Sequence, residues 1–457
     1  MGAKHYSTIV ATGSCAGEKI IHNSYFVGKE LYRENGSGKL ELKSGKTAEE
    51  IYSVTGIGER RWTDRRPADL GAETLRQIIE AAKKKPELLI VAHNSKFSET
   101  LYSPIPAHSA IAQKKTNKPN TIAFDIVTDD GSIQLEDIVR AYSAGKFCSI
   151  YAAGIEDDGG PRHVECRPYP ENPDIIIAEH SGFDSMAKRI KKQVGLRKAD
   201  TLDVTAGCSG FTVALDVADR LIKQGKYKRI AVIGVDVLTD IRDEHHLDST
   251  LFSDNAGGVL IEPSKEPGIK CSRFETYGSL GHYLRLDIGV QERLDAEKRG
   301  TAPSEKKGPF YLRMNGNEIF KFAVKQLPRF VNKLIGDAGI ELSDVAAIFF
   351  HQMNGRILRS SVARLYSTQN DEEFSRVIEE KIPWSVDEYG NSSVATIPLA
   401  LDLVLKGKLD RRCYDARTDR IVKKTNEPFE LKLGSGKYIV TAAVGAGLVI
   451  GGNVIKL

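Results

Sequence analysis

The sequence predicts an α/β protein made of two similar halves that pack together. The first observation is that GCSGFTVALDVADRLIKQGK (207–226) can be laid against GNSSVATIPLALDLVLKGK (390–408) with a one-residue gap. The second is a repeated helix and strand that end at a histidine, His93 in one copy and His351 in the other. Two separate units that match in the same order indicate duplication rather than a chance likeness of amphipathic helices.

The predicted elements follow from apolar periodicity and from the Gly and Pro residues that bound them. The strands are expected at Ser7–Gly13, Leu88–Ala92, Arg229–Val237, Ala346–Phe350 and Tyr438–Val444, and the helices at Leu75–Lys84, Ile319–Ala338 and within Asp203–Gly225. In the register of the duplication Cys208 matches Asn391, and His93 matches His351. Equivalent loops of the two halves are therefore expected to meet at one site.

The spacing of these residues also predicts an insertion. From His93 to Cys208 is 115 residues, whereas from His351 to Asn391 is 40, so the first half carries about 75 extra residues. We place them at 95–178, with a strand at Thr121–Val127 and a helix near Leu135–Ala144 in that range. Such a segment is either a surface elaboration or a lid over the site. The predicted halves are 1–265, which contains the insertion, and 266–457.

The composition of the 457-residue chain is that of a soluble globular protein, with 41% apolar residues, 28% charged residues and a net charge of +4. So small a basic excess does not indicate nucleic-acid binding. The six cysteines are scattered, which predicts a reduced, cytoplasmic protein without structural zinc. The opening residues lack the apolar core of a signal peptide, and no run reaches the ~18 apolar residues of a membrane span, so no membrane association is expected.

Cys208 is the strongest candidate for chemistry from the residues alone. The small residues Ala206, Gly207, Ser209 and Gly210 allow a sharp turn just before the predicted helix, which places Cys208 at or beside its N-terminus. Free backbone N–H groups and the helix dipole favour an anion there, so the thiol is expected to be biased toward the nucleophilic thiolate. The alternative is a small residue packed under the start of a helix.

Seven motifs in order, at compatible spacing, resemble the thiolase superfamily and within it β-ketoacyl-acyl-carrier-protein synthase III. They are TAGCSGF (205–211), GVDVL (234–238), FSDNAGG (252–258), MNGNEIFKFAV (314–324), HQMNGRI (351–357), YGNSSVATIPLAL (389–401) and VGAGLVIGG (444–452). Each motif alone is weak evidence, but seven in order are not a coincidence. The resemblance covers nearly all of the chain except the insertion.

The resemblance implies a thiolase-like fold of five layers, α-β-α-β-α, and a decarboxylative condensation that needs no cofactor. Cys208 resembles the cysteine that takes an acyl group from a thioester donor. His351 and Asn391 resemble the pair that hydrogen-bonds the thioester carbonyl of a malonyl substrate while CO2 leaves, and such donors stabilise charge that develops in the transition state. By the same resemblance, the backbone N–H groups of Cys208 and Ala446 form a second oxyanion hole.

Further positions carry expectations from the resemblance only. Phe183 and Val444 are expected to line the acyl pocket, with Phe183 reaching across the interface of a homodimer. Arg356 is expected to face an acyl-carrier protein. The basic run at 188–198 contributes to docking an acidic partner or is simply a solvated helix face.

Two positions depart from the family pattern. Family members that use acyl-coenzyme A usually hold its adenine between a tryptophan and an arginine, and the corresponding residues here are Glu50 and Asp240. Carboxylates beside the phosphates of coenzyme A would be repulsive. We therefore expect either that the acyl donor is carried by a protein or that its handle binds differently.

Three other functions remain open at this point. An acyltransferase of the same fold would pass the acyl group to an oxygen or nitrogen nucleophile, but relatives of that kind commonly alter the histidine–asparagine pair. A non-catalytic partner subunit would typically lack the cysteine. A hydroxymethylglutaryl-type synthase would need an acidic catalytic residue in the loop that holds Glu49 and Glu50.

Overall fold

The computed structural model of the chain describes residues 6–34, 39–43, 46–94, 110–115, 122–127, 149–152, 162–169, 172–180, 185–300, 310–433 and 437–457. The chain forms two compact units, one made of Met1–Ser95 with Ser185–Leu457 and the other of Lys96–Asp184. The second unit occupies nearly the same stretch as the predicted insertion. The division of the chain into halves at residue 265 stays a prediction.

The strands are β1 (Tyr6–Ala16), β2 (Lys19–His22), β3 (Tyr32–Glu34), β4 (Leu40–Leu42), β5 (Glu59–Trp62), β6 (Leu88–Ala92), β7 (Ala110–Lys115), β8 (Ile122–Val127), β9 (Ser149–Ala152), β10 (Arg162–Tyr169), β11 (Asn172–His180), β12 (Asp200–Val204), β13 (Ile230–Val237), β14 (Asp254–Ser264), β15 (Ile269–Thr276), β16 (Leu284–Ile288), β17 (Phe310–Met314), β18 (Val345–Phe350), β19 (Asp410–Asp415), β20 (Arg420–Pro428), β21 (Tyr438–Gly445) and β22 (Val449–Ile455).

The α-helices are α1 (Ala48–Thr55), α2 (Pro67–Ala82), α3 (Met186–Val194), α4 (Gly210–Lys223), α5 (Val290–Lys298), α6 (Gly316–Asp337), α7 (Gly355–Tyr366), α8 (Asp371–Lys381), α9 (Val386–Tyr389) and α10 (Thr396–Leu405). These bounds agree closely with the predicted helices except at α2. That helix begins well before the predicted Leu75, because Pro67 at its first turn fixes a helical φ and has no N–H to leave unpaired.

The first sheet of the larger unit has the strand order β1-β14-β13-β6-β12. Strands β13, β6 and β12 run parallel, and β14 pairs antiparallel with β1 and β13. The register sets Ala92 level with Val204 on one side and with Gly234 on the other. The loops that follow these three strands, including the one with Cys208, therefore leave the sheet at the same edge.

The second sheet has the order β15-β22-β21-β18, with β18 parallel to β21 and the other pairs antiparallel. This repeats the order and the directions of β1-β14-β13-β6, while β12 has no counterpart in it. The duplicated α/β halves predicted from the sequence are confirmed. Phe350 pairs with Ala442, so His351 leaves this sheet at its carboxyl edge.

Five layers stack in the larger unit, as the resemblance implied. Helices α4 and α10 lie between the sheets, since α4 packs on β13 and β6 of the first sheet and on β21 and β22 of the second, and α10 packs on β14 and β18. Helices α2 and α3 cover the outer face of the first sheet, and α6 covers that of the second. The sequence explains the central place of α10, because every residue from Thr396 to Val404 is buried and only a helix apolar on nearly all sides can lie there.

Two buried carboxylates in the central helices accept hydrogen bonds from side chains of β1. In α10, Asp402 accepts hydrogen bonds from Thr12 Oγ1 at 2.7 Å and Ser14 Oγ at 2.6 Å. In α4, Asp219 accepts one from Ser7 Oγ at 2.6 Å. These bonds satisfy charges that would otherwise be costly to bury.

The described residues of the second unit form strands β7 to β11. Strands β7 and β8 pair antiparallel, and β9, β10 and β11 form an antiparallel sheet in the order β11-β10-β9. The predicted strand Thr121–Val127 corresponds to β8. The helix predicted near Leu135–Ala144 lies outside the described residues.

The contact between β14 and α10 leads to a stability prediction. A Cβ atom on Gly257 would lie 2.4 Å from the backbone nitrogen of Leu399, so Gly257→Ala forces the central helix away from the first sheet. We expect a loss of about 1–3 kcal/mol in the free energy of unfolding, measured by urea denaturation. The control is Gly336→Ala in α6, where no atom lies within 4 Å of the added Cβ. Equal effects of the two substitutions would contradict the tight contact.

Candidate active site

The loop that carries Cys208 contacts the loop after β21 through backbone atoms. Gly207 has a φ of 54°, and a Cβ atom there would lie 2.2 Å from the nitrogen of Ala446. A Cβ atom on Gly445 would lie 2.6 Å from the nitrogen of Cys208. Only glycines permit this approach. The backbone nitrogens of Cys208 and Ala446, predicted to form an oxyanion hole, are therefore on contacting loops.

Ser209 joins the start of α4 to the second sheet. Its hydroxyl lies 3.1 Å from the carbonyl oxygen of Ala443 in β21 and 2.8 Å from that of Val449 in β22, and it can donate to either. Since Ser209 is fully buried, this hydroxyl would be costly to leave unpaired. The bonds hold the helix that follows Cys208 against the half of the molecule that supplies His351.

The protonation state of Cys208 corrects one prediction. Burial, together with the charge of Asp236, raises the pKa of the Cys208 thiol to about 11, although a hydrogen bond with Ser393 lowers it. The first N–H groups of the helix do not offset this, because Ser209 N donates to Ala206 O at 3.2 Å and Gly210 N to Gly207 O at 3.0 Å. The expected bias toward thiolate is wrong: Cys208 is a neutral thiol at neutral pH.

His351 is buried directly after β18, where its backbone N–H donates to the carbonyl of Ala442 at 2.8 Å. Its Nδ1 lies 2.7 Å from Thr396 Oγ1. Burial lowers the pKa of His351 to about 3, so the imidazole is neutral at physiological pH. No hydrogen bond to its Nε2 is found among the described residues, which leaves that nitrogen for a ligand.

Asn391 is buried and held at both ends of its backbone. Its N–H donates to Leu251 O at 3.0 Å, and its carbonyl accepts from Ser253 N at 2.8 Å. Its side-chain oxygen accepts from Ser393 N at 2.9 Å, while Nδ2 donates to Met353 O at 3.3 Å. Because an amide carries two N–H bonds, one remains for a ligand.

Ser393 contacts or lies next to all three predicted catalytic residues. Its hydroxyl hydrogen-bonds Cys208, and its N–H donates to Asn391. Its carbonyl oxygen lies 3.1 Å from Thr396 Oγ1, and the one hydroxyl proton of Thr396 can be donated either to this carbonyl or to His351 Nδ1. Ser393 has a φ of 52°, an unfavourable conformation for a residue with a Cβ. The structure thus connects Cys208, His351 and Asn391 through one strained residue.

Two polar residues of the first half, Asn94 and Asp236, lie next to Ser393. Asn94 Nδ2 donates to Ser393 Oγ at 3.0 Å and to Asp236 Oδ2 at 2.9 Å, and Asn94 N donates to Asp236 Oδ1 at 2.6 Å. Burial raises the pKa of Asp236, and these bonds from Asn94 lower it. His93, the counterpart of His351 in the duplication, is buried beside this group with Nε2 3.9 Å from Asp203.

A cavity of about 460 Å³, here called the tunnel, leads to Asn391 and Met353. Its remaining wall includes three basic residues, Arg33, Lys321 and Arg356. Arg356 lies in the first turn of α7 with its guanidinium 5.7 Å from the ring of Phe320. Of the three predicted catalytic residues, Asn391 alone is among the described residues that line this cavity.

The remaining predicted positions are Val444, Phe183, Glu50 and Glu49. Val444 is buried in the apolar core around the second sheet. Phe183 lies outside the described residues, so its role stays a prediction. Glu50 accepts from the backbone of Thr47 and caps α1, and Glu49 pairs with Arg420. Both carboxylates lie in the first turn of α1 rather than in the expected loop, and these bonds occupy them where a hydroxymethylglutaryl-type synthase would need its acid.

Sequence reasoning missed Ser393, Thr396, Asn94 and Asp236. Three of them lie within or beside quoted motifs, since Ser393 and Thr396 follow Asn391 in YGNSSVATIPLAL and Asp236 is the aspartate of GVDVL. The duplication offered a signal for Asn94, because it follows His93. Their contacts depend on tertiary packing, which spacing alone does not specify.

Comparison with known proteins identifies the family of the chain. Residues 202–278 match the model of 3-oxoacyl-[acyl-carrier-protein] synthase III, and residues 335–412 match the C-terminal model of the same enzymes. The β-ketoacyl-[acyl-carrier-protein] synthase III of Porphyra umbilicalis is 31% identical over 290 residues, which are 63% of this chain and 78% of that protein. The chain belongs to the synthase III family. The synthase of the same name from Synechocystis sp. is 30% identical over 295 residues, 63% of this chain and 77% of that protein.

Solved structures of synthase III enzymes share the fold. The 3-oxoacyl-[acyl-carrier-protein] synthase III of Aquifex aeolicus aligns with a TM-score of 0.61 at 21% identity, covering 99% of this chain and 100% of that one. The priming β-ketosynthase of the R1128 polyketide pathway aligns with a TM-score of 0.63 at 19% identity, covering 100% and 97%. The sequence relatives show that the chain is a condensing enzyme of the synthase III type, and these structures show its thiolase-like fold.

The described residues contain neither a candidate metal site nor a membrane-spanning helix. Among them, no three His, Cys, Asp or Glu side chains cluster so as to hold a metal ion. None of the described helices is long and apolar enough to cross a membrane.

The charge next to Cys208 gives a pH prediction. Asp236→Asn removes a negative charge that disfavours the thiolate, so it should lower the apparent pKa of Cys208 and speed its alkylation by iodoacetamide near neutral pH roughly threefold to tenfold. Ser393→Ala should act in the opposite direction, because it removes a hydrogen bond that favours the thiolate. Peptide mass spectrometry over a pH series measures both, and Cys271 is the internal control. Slower alkylation in both variants would contradict this electrostatic account.

Proposed function

We propose that this synthase III-type enzyme transfers an acyl group from a thioester donor to Cys208 and then condenses it with a malonyl thioester to give a 3-oxoacyl product. The observation that carries the proposal is the connection of Cys208, His351 and Asn391 through Ser393, with Asn391 also lining the tunnel. It supports one site in which a nucleophile and two hydrogen-bond donors face the same substrate.

In the first step, the sulfur of Cys208 attacks the donor carbonyl, and the thiol of the carrier leaves with the proton that Cys208 gives up. The raised pKa of Cys208 means that this proton leaves during the attack rather than before it. The N–H groups of Cys208 and Ala446 are suited to stabilise the oxyanion, since their loops are in contact.

In the second step, the malonyl thioester loses CO2, and its carbonyl oxygen takes up negative charge as an enolate. His351 Nε2 and the second N–H of Asn391 would donate to that oxygen. Because the imidazole is neutral, Nε2 carries its proton when Nδ1 accepts a hydrogen bond from the Thr396 hydroxyl, which then does not donate to the Ser393 carbonyl. The enolate then attacks the acyl-cysteine, and Cys208 leaves as thiolate and regains a proton.

The partners follow from this chemistry. The malonyl group would be carried by acyl-carrier protein, and Arg356 at the tunnel would contribute to the docking of that protein. The acyl group of the first step would be carried by coenzyme A or by carrier protein. No cofactor is required by either step. We further propose a cytoplasmic homodimer, with Phe183 crossing to the acyl pocket of the partner and Val444 shaping that pocket.

The experiment that tests the proposal is intact-protein mass spectrometry after incubation with a panel of acyl donors, followed by malonyl-carrier protein. The wild type should gain the acyl mass and lose it with CO2 release, whereas Cys208→Ala should gain none. His351→Ala and Asn391→Ala should still be acylated but condense about 10²–10³-fold more slowly. Discharge only by an alcohol or amine would support the acyltransferase alternative instead.

The contact between His351 and Thr396 gives a separate prediction. Thr396→Val removes the hydroxyl that lies 2.7 Å from Nδ1, so the proton of the neutral ring should move away from Nε2. We expect condensation to slow by about 10²-fold while acylation of Cys208 stays within about twofold. Thr396→Ser, which keeps the hydroxyl, is the matched control and should restore condensation. An equal loss of both half-reactions would indicate a structural role only.

A further inference from the structure

A second cavity, here called the side cavity, has a volume of about 450 Å³ and adjoins the tunnel. Five residues line both: Arg33, Met314, Gly316, Asn317 and Lys321. Asn391 and Met353 line only the tunnel. A ligand whose reactive end reaches Asn391 can therefore extend its other end into the side cavity.

The side cavity is lined mainly by charged and polar residues, with cations in excess. Its wall holds the basic residues Arg33, Lys43, Arg285, Arg313 and Lys321 against the carboxylates Glu34, Glu41 and Glu318. The Lys43–Glu41 pair at 2.8 Å and the Lys321–Glu318 pair at 2.7 Å are solvent-exposed. Exposed pairs contribute little free energy, so these lysines can turn to an incoming anion at low cost.

Arg33 lies where the two cavities join. Its guanidinium approaches Asn317 Oδ1 at 3.5 Å, and within the described part of the chain it forms no ion pair with a carboxylate. By contrast, Arg313 is committed to a buried pair with Asp243. A half-buried guanidinium without a carboxylate partner can bind a phosphate with two parallel hydrogen bonds.

The position of Arg33 is fixed by the hairpin of β3 and β4. Arg33 is opposite Glu41 in this hairpin, and the backbone of the preceding residue, Tyr32, donates to His245 O at 2.8 Å. His282 and Tyr283 line the side cavity but not the tunnel, and their ring centroids lie 4.2 Å apart. Preorganised cations next to aromatic rings are suited to a phosphorylated, ring-bearing ligand.

We propose that the side cavity binds the phosphate groups on the handle of the acyl-thioester donor, with Arg33 contacting the phosphate next to the tunnel and Lys43 those farther in. The inference rests on the proposed function, because it takes the tunnel to be the path of a thioester. It favours the second of the two possibilities raised by Glu50 and Asp240, that the handle binds differently. Phosphate esters occur both in coenzyme A and in the prosthetic arm of a carrier protein.

The test compares three donors with the same acyl group: acyl-coenzyme A, acyl-phosphopantetheine and acyl-N-acetylcysteamine, which carry three, one and no phosphate groups. Acylation of Cys208 is followed by intact-protein mass spectrometry to give kcat/KM for each donor. With Arg33→Gln, the ratio of kcat/KM for a phosphorylated donor to that for acyl-N-acetylcysteamine should fall about tenfold. Lys43→Gln should lower this ratio only for acyl-coenzyme A.

Arg66→Gln is the matched control, since Arg66 is an exposed arginine at the start of α2 and lines neither cavity. A fall for both phosphorylated donors in Arg33→Gln supports contact with the phosphate attached to pantetheine, which coenzyme A, phosphopantetheine and the carrier-protein arm share. A fall for acyl-coenzyme A alone supports binding of its nucleotide phosphates. Unchanged ratios in Arg33→Gln and Lys43→Gln would overturn the proposal, and acylation by acyl-N-acetylcysteamine in those samples would leave the proposed function intact.

Discussion

The site depends on the backbone of Ser393. Its left-handed conformation turns the chain so that the hydroxyl, the N–H and the carbonyl point in three directions, toward Cys208, Asn391 and Thr396. A non-glycine residue in this region costs about 1–3 kcal/mol, which the surrounding bonds must offset. Ser393 contacts Cys208 and Asn391 directly and reaches His351 through Thr396. A small displacement of Ser393 would therefore disturb all three residues together.

Burial then determines the charges at the site. The pKa of Cys208 is raised and that of His351 is lowered, so neither group is ionised at neutral pH and no thiolate–imidazolium pair forms. Negative charge appears only as a substrate reacts. His351, positioned by Thr396, and Asn391, positioned by Met353, can donate to that charge without moving. Such preorganised donors stabilise a transition state more than a ground state.

Much of this could be predicted from the sequence, because periodicity and internal duplication depend on local pattern. The strand before His351 and the helix after Cys208 were predicted within a few residues. The pKa of Cys208 was not, since it depends on burial and on Asp236, which comes from a distant strand. The left-handed φ of Ser393 could not be inferred either, because Asn or Gly would be the usual residue for that conformation.

The hydroxyl of Ser209 links the start of α4 to strands of the other half. The helix that follows the nucleophile is thus held by the half of the chain that supplies His351 and Asn391. Two identical units in a symmetric pair would repeat the same residues in both loops. Because both halves belong to one chain, the equivalent loops can carry different residues, a cysteine in one and an asparagine in the other. The asymmetry of the site therefore depends on the covalent connection between two halves of similar fold.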